Sequence, residues 1–302
     1  MPSRKSVVAT DLHRCGLIAV VGRPNVGKST LTNALIGDHI SITSSKPQTT
    51  RHQIKGILSL PAAQFIFVDT PGFQIRHQDA LNRTMNRSVK RALRDVDVVL
   101  MVIEAGRYDI EDQRIVAQIP PDMPVVLAVN KIDSLPNAQL IPFLQTFNDA
   151  SKFTHLVPVS AEKKRNIDTL LKVLQPILPE RDSLFDEDFI TDRSERFLAA
   201  ERIREKLFRQ LGDEVPYGAS VVIEKFELVG NVRRIFASVI VDRAGHKPIL
   251  IGAGGKKMKA VSSAARLDLE KLFGGKVYLE VWVKVRAGWT DNAAALTALG
   301  YD

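Results

Sequence analysis

The chain of 302 residues is 45% hydrophobic and 25% charged, apolar enough to build packed cores, which excludes a disordered chain. A single core rarely grows beyond ~250–300 residues, so two domains are expected. The net charge of +8 divides unevenly, +3 on residues 1–200 and +5 on residues 201–302, and a basic excess on the shorter segment points to a polyanion, RNA or a membrane surface.

From the N-terminus, Arg4 and Lys5 are followed only by Val7-Val8-Ala9, too little for the apolar region of a secretion signal. Cys15 is the single cysteine; it cannot make an internal disulfide, so a reducing cytosol is the expected compartment. It reads as a small residue before the first strand. Between residues 17 and 178 strand-like runs alternate with helical patterns. The strands are Leu17–Val21, Ile57–Leu60, Phe65–Val68, Val98–Ile103, Val125–Val129 and His155–Val159. The helices are Lys28–Ile36, Leu81–Leu93, Glu111–Gln118, Ala138–Phe147 and Ile167–Leu174. This alternation predicts an α/β fold, a mostly parallel sheet covered on both faces. The short link between Leu60 and Phe65 permits a hairpin, so one edge strand is expected to run backwards. No apolar run approaches the ~18–20 residues of a membrane span.

The acidic stretch Pro179–Asp188 reads as a linker. Beyond it Ser194 is placed to cap a helix Glu195–Leu211, with Gly212 to end it. Strands Ser220–Glu227 and Ile235–Val241 follow, then a short helical turn Pro248–Ile251, the glycines of residues 252–255, a long helix Lys256–Phe273 and a strand Val277–Val285. Trp282 alternates with apolar neighbours and is expected in the core, whereas Trp289 lies in a loop where it could pack or stack on RNA.

Three motifs carry chemistry. Gly22-Arg23-Pro24-Asn25-Val26-Gly27-Lys28-Ser29 joins the first strand to the first helix. Its glycines let backbone N–H groups cradle phosphate, Lys28 adds a point charge for the outer phosphates, and Ser29 offers a hydroxyl to magnesium. Asp69-Thr70-Pro71-Gly72 ends the strand from Phe65; Asp69 can hold magnesium through water, and Gly72 can bring its N–H to a γ-phosphate. Asn130-Lys131-Ile132-Asp133 ends the strand from Val125. The Asp133 carboxylate can accept two bonds from guanine, which adenine cannot donate, so the nucleotide is read as GTP or GDP. Ser160-Ala161, at the end of the next strand, places an N–H near the guanine oxygen. All three motifs sit at carboxyl ends of neighbouring strands, where ligands bind in such sheets. The nucleotide contacts are therefore assigned to residues 22–30, ending at Thr30, with Asp69, Thr70, Pro71, Gly72, Asn130, Lys131, Asp133, Ser160 and Ala161. The six histidines show no metal-ligand spacing.

A second site is read at Gly252-Ala253-Gly254-Gly255. The loop joins a short helix to a long one, and Lys256, Lys257 and Lys259 follow it. Such glycines let a single-stranded backbone approach, and the start of a helix attracts phosphate.

Gly22–Ser29, Gln48-Thr49-Thr50-Arg51, Asp69–Gly72, Asn130–Asp133 and Ser160-Ala161 stand in the order of translation-factor-type GTPases. Asp192–Phe197, Glu201–Leu207, Pro216-Tyr217, Ile251–Lys259 and Trp282–Trp289 narrow the resemblance to the Era family of bacterial ribosome-assembly GTPases. That resemblance implies a P-loop Ras-like G domain over residues 1–178, a linker over 179–193 and a smaller α+β type II KH domain over 194–302. It implies that Thr50, with Thr49 as the alternative, joins Ser29 and Asp69 on magnesium, and that Asn25 can recruit potassium. It places Asn25, Lys28, Thr50 and Gly72 in catalysis. Phe73 stands where Ras-like enzymes carry a catalytic glutamine, with Gln74 one position late, which implies slow intrinsic turnover. The implied partner is the 3′ region of small-subunit ribosomal RNA in the small ribosomal subunit. Two departures from the family stand out: Ala253 and Gly254 carry no basic side chain, and Lys164 occupies a usual turn glycine. A cytoplasmic monomer is expected, with the inner face of the cell membrane as a second location. The rival reading is a nucleotide-gated RNA chaperone or membrane-associated scaffold in which hydrolysis is incidental.

Overall fold

The computed structural model describes residues 13–44, 46, 49–72, 79–147, 152–210 and 217–301. The expectations placed on residues 4–9, Gln48, Phe73, Gln74, Leu211, Gly212 and Pro216 lie outside these. The first unit is a six-stranded sheet made of β1 (Arg14–Val21), β2 (Ile54–Leu60), β3 (Ala63–Asp69), β4 (Val98–Glu104), β5 (Val125–Asn130) and β6 (His155–Pro158). The order is β2-β3-β1-β4-β5-β6. β2 is antiparallel to β3 and every other pair is parallel. The reversed edge strand arises because only two residues separate Leu60 from Ala63, too few for a crossover.

Helices α1 (Lys28–Ile36), α2 (Ala80–Ala92), α3 (Ile110–Val116), α4 (Asn137–Gln145) and α5 (Ile167–Leu174) cover the sheet. The pleat sorts the strand residues between two cores. Ile18, Val20, Leu100 and Val102 pack with Leu31 of α1 and Leu170 of α5, while Ala19, Val21, Met101 and Ile103 pack with Val89 of α2 and Ile115 of α3. Residues 98–103 of β4 are fully buried, each apolar side chain contributing about 1.5–3 kcal/mol.

The acidic segment after Pro179 is an ordered strap rather than a loose tether. Cys15 N–H donates to the Pro179 carbonyl (3.1 Å) and Ile57 N–H to the Ile190 carbonyl (2.9 Å). The buried Gln64 side chain accepts from the amides of Leu184 (2.8 Å) and Phe185 (3.0 Å) and donates to the Phe185 carbonyl (2.8 Å).

The second unit runs α6 (Glu195–Gln210), β7 (Ala219–Val229), β8 (Val232–Val241), α7 (His246–Ile251), α8 (Lys256–Phe273), β9 (Lys276–Val285) and α9 (Ala293–Ala298). β8 is antiparallel to β7 and parallel to β9. Ile203 of α6 and Ala265 and Leu269 of α8 pack on Ile235, Ala237 and Val277. This is the helix and strand order read from the sequence, with α9 added. Trp282 corrects the reading, and Trp289 takes one of the two places left open for it. Trp282 is 43% exposed, because it shares strand parity with Tyr278, Glu280 and Lys284 while Val281 and Val283 turn inward. Its ring stacks on Phe236 at 6.0 Å. Trp289 is fully buried, and its Nε1–H donates to the Gly218 carbonyl (3.1 Å), so it packs rather than meeting RNA.

The units meet along a seam. Leu81 and Met85 of α2 pack on Ile240, Trp289, Leu296 and Tyr301. Arg51 donates to the carbonyls of Ala219 (2.8 Å) and Tyr217 (2.8 Å). Arg204, paired in α6 with Glu201, donates to the Thr49 carbonyl (2.5 Å), and His52 stacks on Tyr301 at 4.5 Å. Glu205, with no exposed side-chain surface, accepts from Thr43 N–H (3.1 Å) and from Arg209 (2.8 Å), with His39 at 3.4 Å.

Burial alone would push the Glu205 carboxyl up, but His39, the Thr43 amide and Arg209 hold it down at about 2. A depressed acid stabilises the fold above its unfolded pKa near 4.5 and loses that contribution as pH falls toward 2. Glu205→Gln is therefore expected to cost about 3 kcal/mol at pH 7. In urea unfolding the gap between wild type and variant should begin to close below pH 4.5. A gap that does not change with pH would deny the carboxylate its place in the seam.

Candidate functional site

The phosphate loop leaves β1 at Val21 and enters α1 at Lys28. Gly27 has φ 95°, and a Cβ there would stand 2.3 Å from Asn130 Nδ2, so the position requires glycine. Lys28 is buried; its ammonium donates to the carbonyls of Gly22 (3.0 Å) and Arg23 (2.8 Å). Burial lowers its pKa to about 8, against the opposing charge of Asp69 and with help from Arg23.

Ser29 Oγ and Thr50 Oγ1 lie 2.7 Å apart, and Thr50 Oγ1 donates to Asp69 Oδ2 at 3.4 Å. Asp69 is fully buried, and its Oδ1 has no hydrogen-bond partner among the described residues. Burial raises its carboxyl pKa, opposed by Lys28 and by the hydroxyls of Ser29, Ser41 and Thr50. Two hydroxyls and an orphaned carboxylate oxygen form the hard oxygen set that suits magnesium. Of the two threonines, Thr50 faces Ser29 and Asp69, whereas Thr49 Oγ1 donates to the Lys46 carbonyl (2.6 Å). Asn25 is exposed at φ 66°, and it lines one cleft with Pro24, Thr30, Thr50 and Gly72. Thr70 serves the scaffold, its hydroxyl donating to the Val20 carbonyl (2.8 Å), and Pro71 is buried beside it.

The base end is tied to the phosphate end through Asn130. Its Nδ2 donates to the Val26 carbonyl (2.9 Å) and its Oδ1 accepts from Ala161 N–H (3.0 Å). Asp133 is exposed, and the Ser160 hydroxyl donates to its Oδ1; this bond lowers its pKa against a small opposing effect of burial. Lys131, at φ 64°, pairs with Glu104 (2.9 Å). Lys164 adopts φ 52°, the conformation that glycine takes without penalty, yet the turn stays closed by paired backbone bonds between Ser160 and Arg165 (3.0 and 3.2 Å).

The Arg23 side chain is buried beneath the loop, donating to Asp112 of α3 (2.8 Å) with Asp109 at 3.7 Å, and its carbonyl takes Lys28, so a nucleotide contact from this residue falls to its backbone N–H. The sequence reading also gave no role to Arg51, Glu201, Arg204 or Glu205. The signal was present: acids and bases at i, i+3 and i+4 in α6 share the helix with Ile203 and Leu207, and all are buried.

In the second unit Gly252, Gly254 and Gly255 all have positive φ (74°, 58° and 76°) between α7 and α8. A Cβ on Gly252 would stand 2.8 Å from Lys257 Cγ, whereas Gly254 and Gly255 face open space. Ala253, Lys256, Lys257 and Lys259 are exposed, and Met258 is the buried anchor between the lysines.

A phosphate loop with an acid beside it at the strand ends of the first unit, and a glycine loop on a helix–helix turn in the second, are the features of a GTPase joined to a KH unit. Residues 17–131 match the family described as 50S ribosome-binding GTPase, and residues 214–290 match the KH domain family. GTPase Era of Nitrosomonas eutropha is 56% identical over 96% of this chain and 98% of its own, and that of Bordetella avium is 51% identical over 98% and 100%. A variant of Aquifex aeolicus Era bound to GDP.AlF4− superposes with TM-score 0.92 at 38% identity, covering 95% of this chain and 99% of its own. So does Era in complex with MgGDPNP and nucleotides 1506–1542 of 16S ribosomal RNA, with TM-score 0.92 and 38% identity over 96% and 99%. The chain belongs to the Era family of GTPases.

The base pocket is open to test. Asp133→Asn should weaken GTP binding by about 2–5 kcal/mol and shift preference to xanthosine nucleotides, whose extra oxygen accepts the new amide. Ser160→Ala should act more gently, by about 1 kcal/mol, since it only frees the carboxylate to turn. Nucleotide titration calorimetry reads both, and unchanged GTP affinity in Asp133→Asn would remove that residue from the pocket.

Proposed function

We propose that the chain is a GTP-hydrolysing switch that binds the 3′ region of small-subunit ribosomal RNA and assists assembly of the small ribosomal subunit. One observation carries the switch: Thr50 sits between Ser29 and Asp69, while Thr49 and Arg51 on either side of it are bonded to the second unit. A change at the γ-phosphate that moves Thr50 therefore pulls on the carrier of the RNA loop. The small subunit is preferred over the 50S particle named in the GTPase family's description, because one of the solved relatives that span both units is in complex with 16S ribosomal RNA.

In this reading residues 1–178 form the GTPase domain, 179–193 the strap between domains and 194–302 the KH domain. Ser29, Thr50 and Asp69 hold magnesium, which neutralises charge on the phosphates when bound. Lys28 and the amides of the phosphate loop position the γ-phosphate, and Gly72 donates its N–H there. Asn25, exposed at the cleft mouth, is placed to recruit potassium, which would take over part of the role of the missing glutamine at Phe73. Gly252, Ala253, Gly254 and Gly255 admit a single-stranded backbone, and Lys256, Lys257 and Lys259 meet its phosphates. The expected location is the cytoplasm. No helix among the described residues is long and apolar enough to cross a membrane. A scaffold in which hydrolysis is incidental would bind RNA equally with GTP, GDP or a non-hydrolysable analogue. Filter binding with the three nucleotides separates the readings, and RNA affinity blind to nucleotide would sink the switch.

The cation has its own test. Replacing potassium by sodium should slow hydrolysis, and Asn25→Ala should erase the difference between the salts; equal wild-type rates in both salts refute the potassium role. For RNA, Ala253→Asp with Gly254→Asp should abolish binding of a single-stranded 3′-end oligonucleotide through repulsion and bulk, while GTP affinity survives. Lys256→Ala should be milder, lowering the salt slope by about 0.7, the single-strand value for one phosphate. Full RNA affinity in the double-aspartate protein would make the loop a structural turn.

A further inference from the structure

The strap between the two units leaves large apolar side chains in solvent although its backbone is fixed. Leu184 is 51% exposed and Phe189 48%, and with Phe185 they line an open hollow of about 440 Å³ rimmed by Asp186 and Glu187. This exposure is built in. The buried Gln64 side chain holds the backbone at Leu184 and Phe185, Phe189 N–H donates to the Asp186 carbonyl (3.0 Å), and Ile57 N–H donates to the Ile190 carbonyl (2.9 Å). The space beneath is already filled, because Cys15, Ile57 and Ile66 pack there with Phe185. An apolar patch ringed by polar groups and presented on an ordered backbone marks a contact surface. The charge around it is equally distinct. In a chain of net charge +8, residues 180–192 carry six acids against the single base Arg181. Part of that charge serves the fold: Arg181 pairs with Asp97, Glu180 with Arg14 (2.7 Å) and Asp192 with Lys55 (3.7 Å). Asp182, Asp186, Glu187 and Asp188 are exposed and enter no ion pair among the described residues.

We infer that this hollow is a docking site for a lysine- and arginine-rich segment of another protein, which seats an apolar side chain on Leu184 and Phe189 and sets its cations on the acidic rim. Charge complementarity selects that occupant. RNA phosphates and anionic lipid headgroups are both repelled by the unpaired acids. A second copy docked about a two-fold axis would bring the same acids against themselves. The hollow and its rim also constrain each other. A purely apolar segment would strip water from the carboxylates without pairing them, and a purely polar cation would leave Leu184 and Phe189 wet. Because the backbone is ordered beforehand, little of the binding energy is lost in arranging it. The strap lies on β2, which leads out of residues 49–52, so an occupant sits near Thr50 without entering the nucleotide cleft.

The test has two arms, both on the full chain. In solution, an arginine-rich peptide bearing leucines, and the same peptide with serines in their place, are titrated by fluorescence anisotropy. Wild type should bind the leucine peptide roughly tenfold more tightly than the serine peptide. Leu184→Ser with Phe189→Ser should erase that preference. Asp186→Asn, Glu187→Gln and Asp188→Asn together should weaken both peptides roughly tenfold and flatten their salt dependence. Both variants should keep the wild-type melting temperature and GTP hydrolysis, which excludes unfolding as the cause. Equal binding of the two peptides to wild type, or a preference that survives the double serine change, overturns the proposal. In cells, a photoreactive benzophenone side chain in place of Phe189 reads the occupant, with the same group in place of the exposed Ile141 of α4 as background. The expected adduct is a lysine- and arginine-rich segment of another protein, and its yield should fall when the three acids are neutralised. An adduct to RNA, to lipid, to a second copy or to residues 1–12 of the chain itself assigns the hollow to that occupant and overturns the proposal. So does a yield no higher than at Ile141, or one indifferent to the acids.

Discussion

Residues 49–52 answer to two sets of partners at once, and the rest of the molecule is arranged around that constraint. The Thr50 hydroxyl is held at 2.7 Å from Ser29 and 3.4 Å from Asp69, inside the cleft. One residue away on either side, the Thr49 carbonyl takes Arg204 and the Arg51 guanidinium grips two carbonyls of the second unit. Successive Cα atoms lie 3.8 Å apart, so no slack separates the two tasks. A shift of Thr50 by even one hydrogen-bond length has to be absorbed at the seam.

The seam's chemistry suits that duty. Its anchors are charges rather than a continuous apolar face: Glu201 with Arg204 and Glu205 with Arg202 are buried, and the exposed Arg209 reaches in to Glu205. Buried ion pairs add little net stability, because desolvation offsets their attraction, but they are intolerant of misplacement. An apolar patch slides with small loss, whereas a charge that loses its partner in a dry site costs several kcal/mol. A seam of this kind has few acceptable arrangements, which makes it a good reader of position. Helix α2 supplies the complementary apolar contact through Leu81 and Met85.

The sequence made some of this legible and hid the rest for definite reasons. The phosphate loop, Asp69 and Asn130–Asp133 were readable because their chemistry is local: each motif ends one strand. The reversed edge strand was readable from chain length alone. Trp282 was misread because its neighbours on both sides are valines, and only the parity of Val277, Val281 and Val283 shows which face is inside. Arg23 lies within the motif yet points out of it, since its partner Asp112 stands 89 residues away. The seam was hidden for the same reason: Arg51 reaches Ala219 across 168 residues, and no pattern in either segment names the other. Lys164 at φ 52° shows the converse, a departure visible in sequence that the structure absorbs without opening the turn.

The two halves of the nucleotide cleft differ in how they are held. On one side everything is tied to the sheet: Asn130 joins Val26 to Ala161, Lys28 is seated on the carbonyls of Gly22 and Arg23, and Arg23 is pinned from below by Asp112. Those contacts are all made within the protein itself and hold this half of the cleft to the sheet. On the other side Thr50 is tied to the cleft through two hydroxyl bonds, backed by a seam that belongs to a different folding unit. GTP and GDP share the base and inner phosphates, so the rigid half cannot tell them apart. In the switch proposed above, discrimination would fall to the Thr50 side, where two hydroxyl bonds let the γ-phosphate shift a balance rather than break a core.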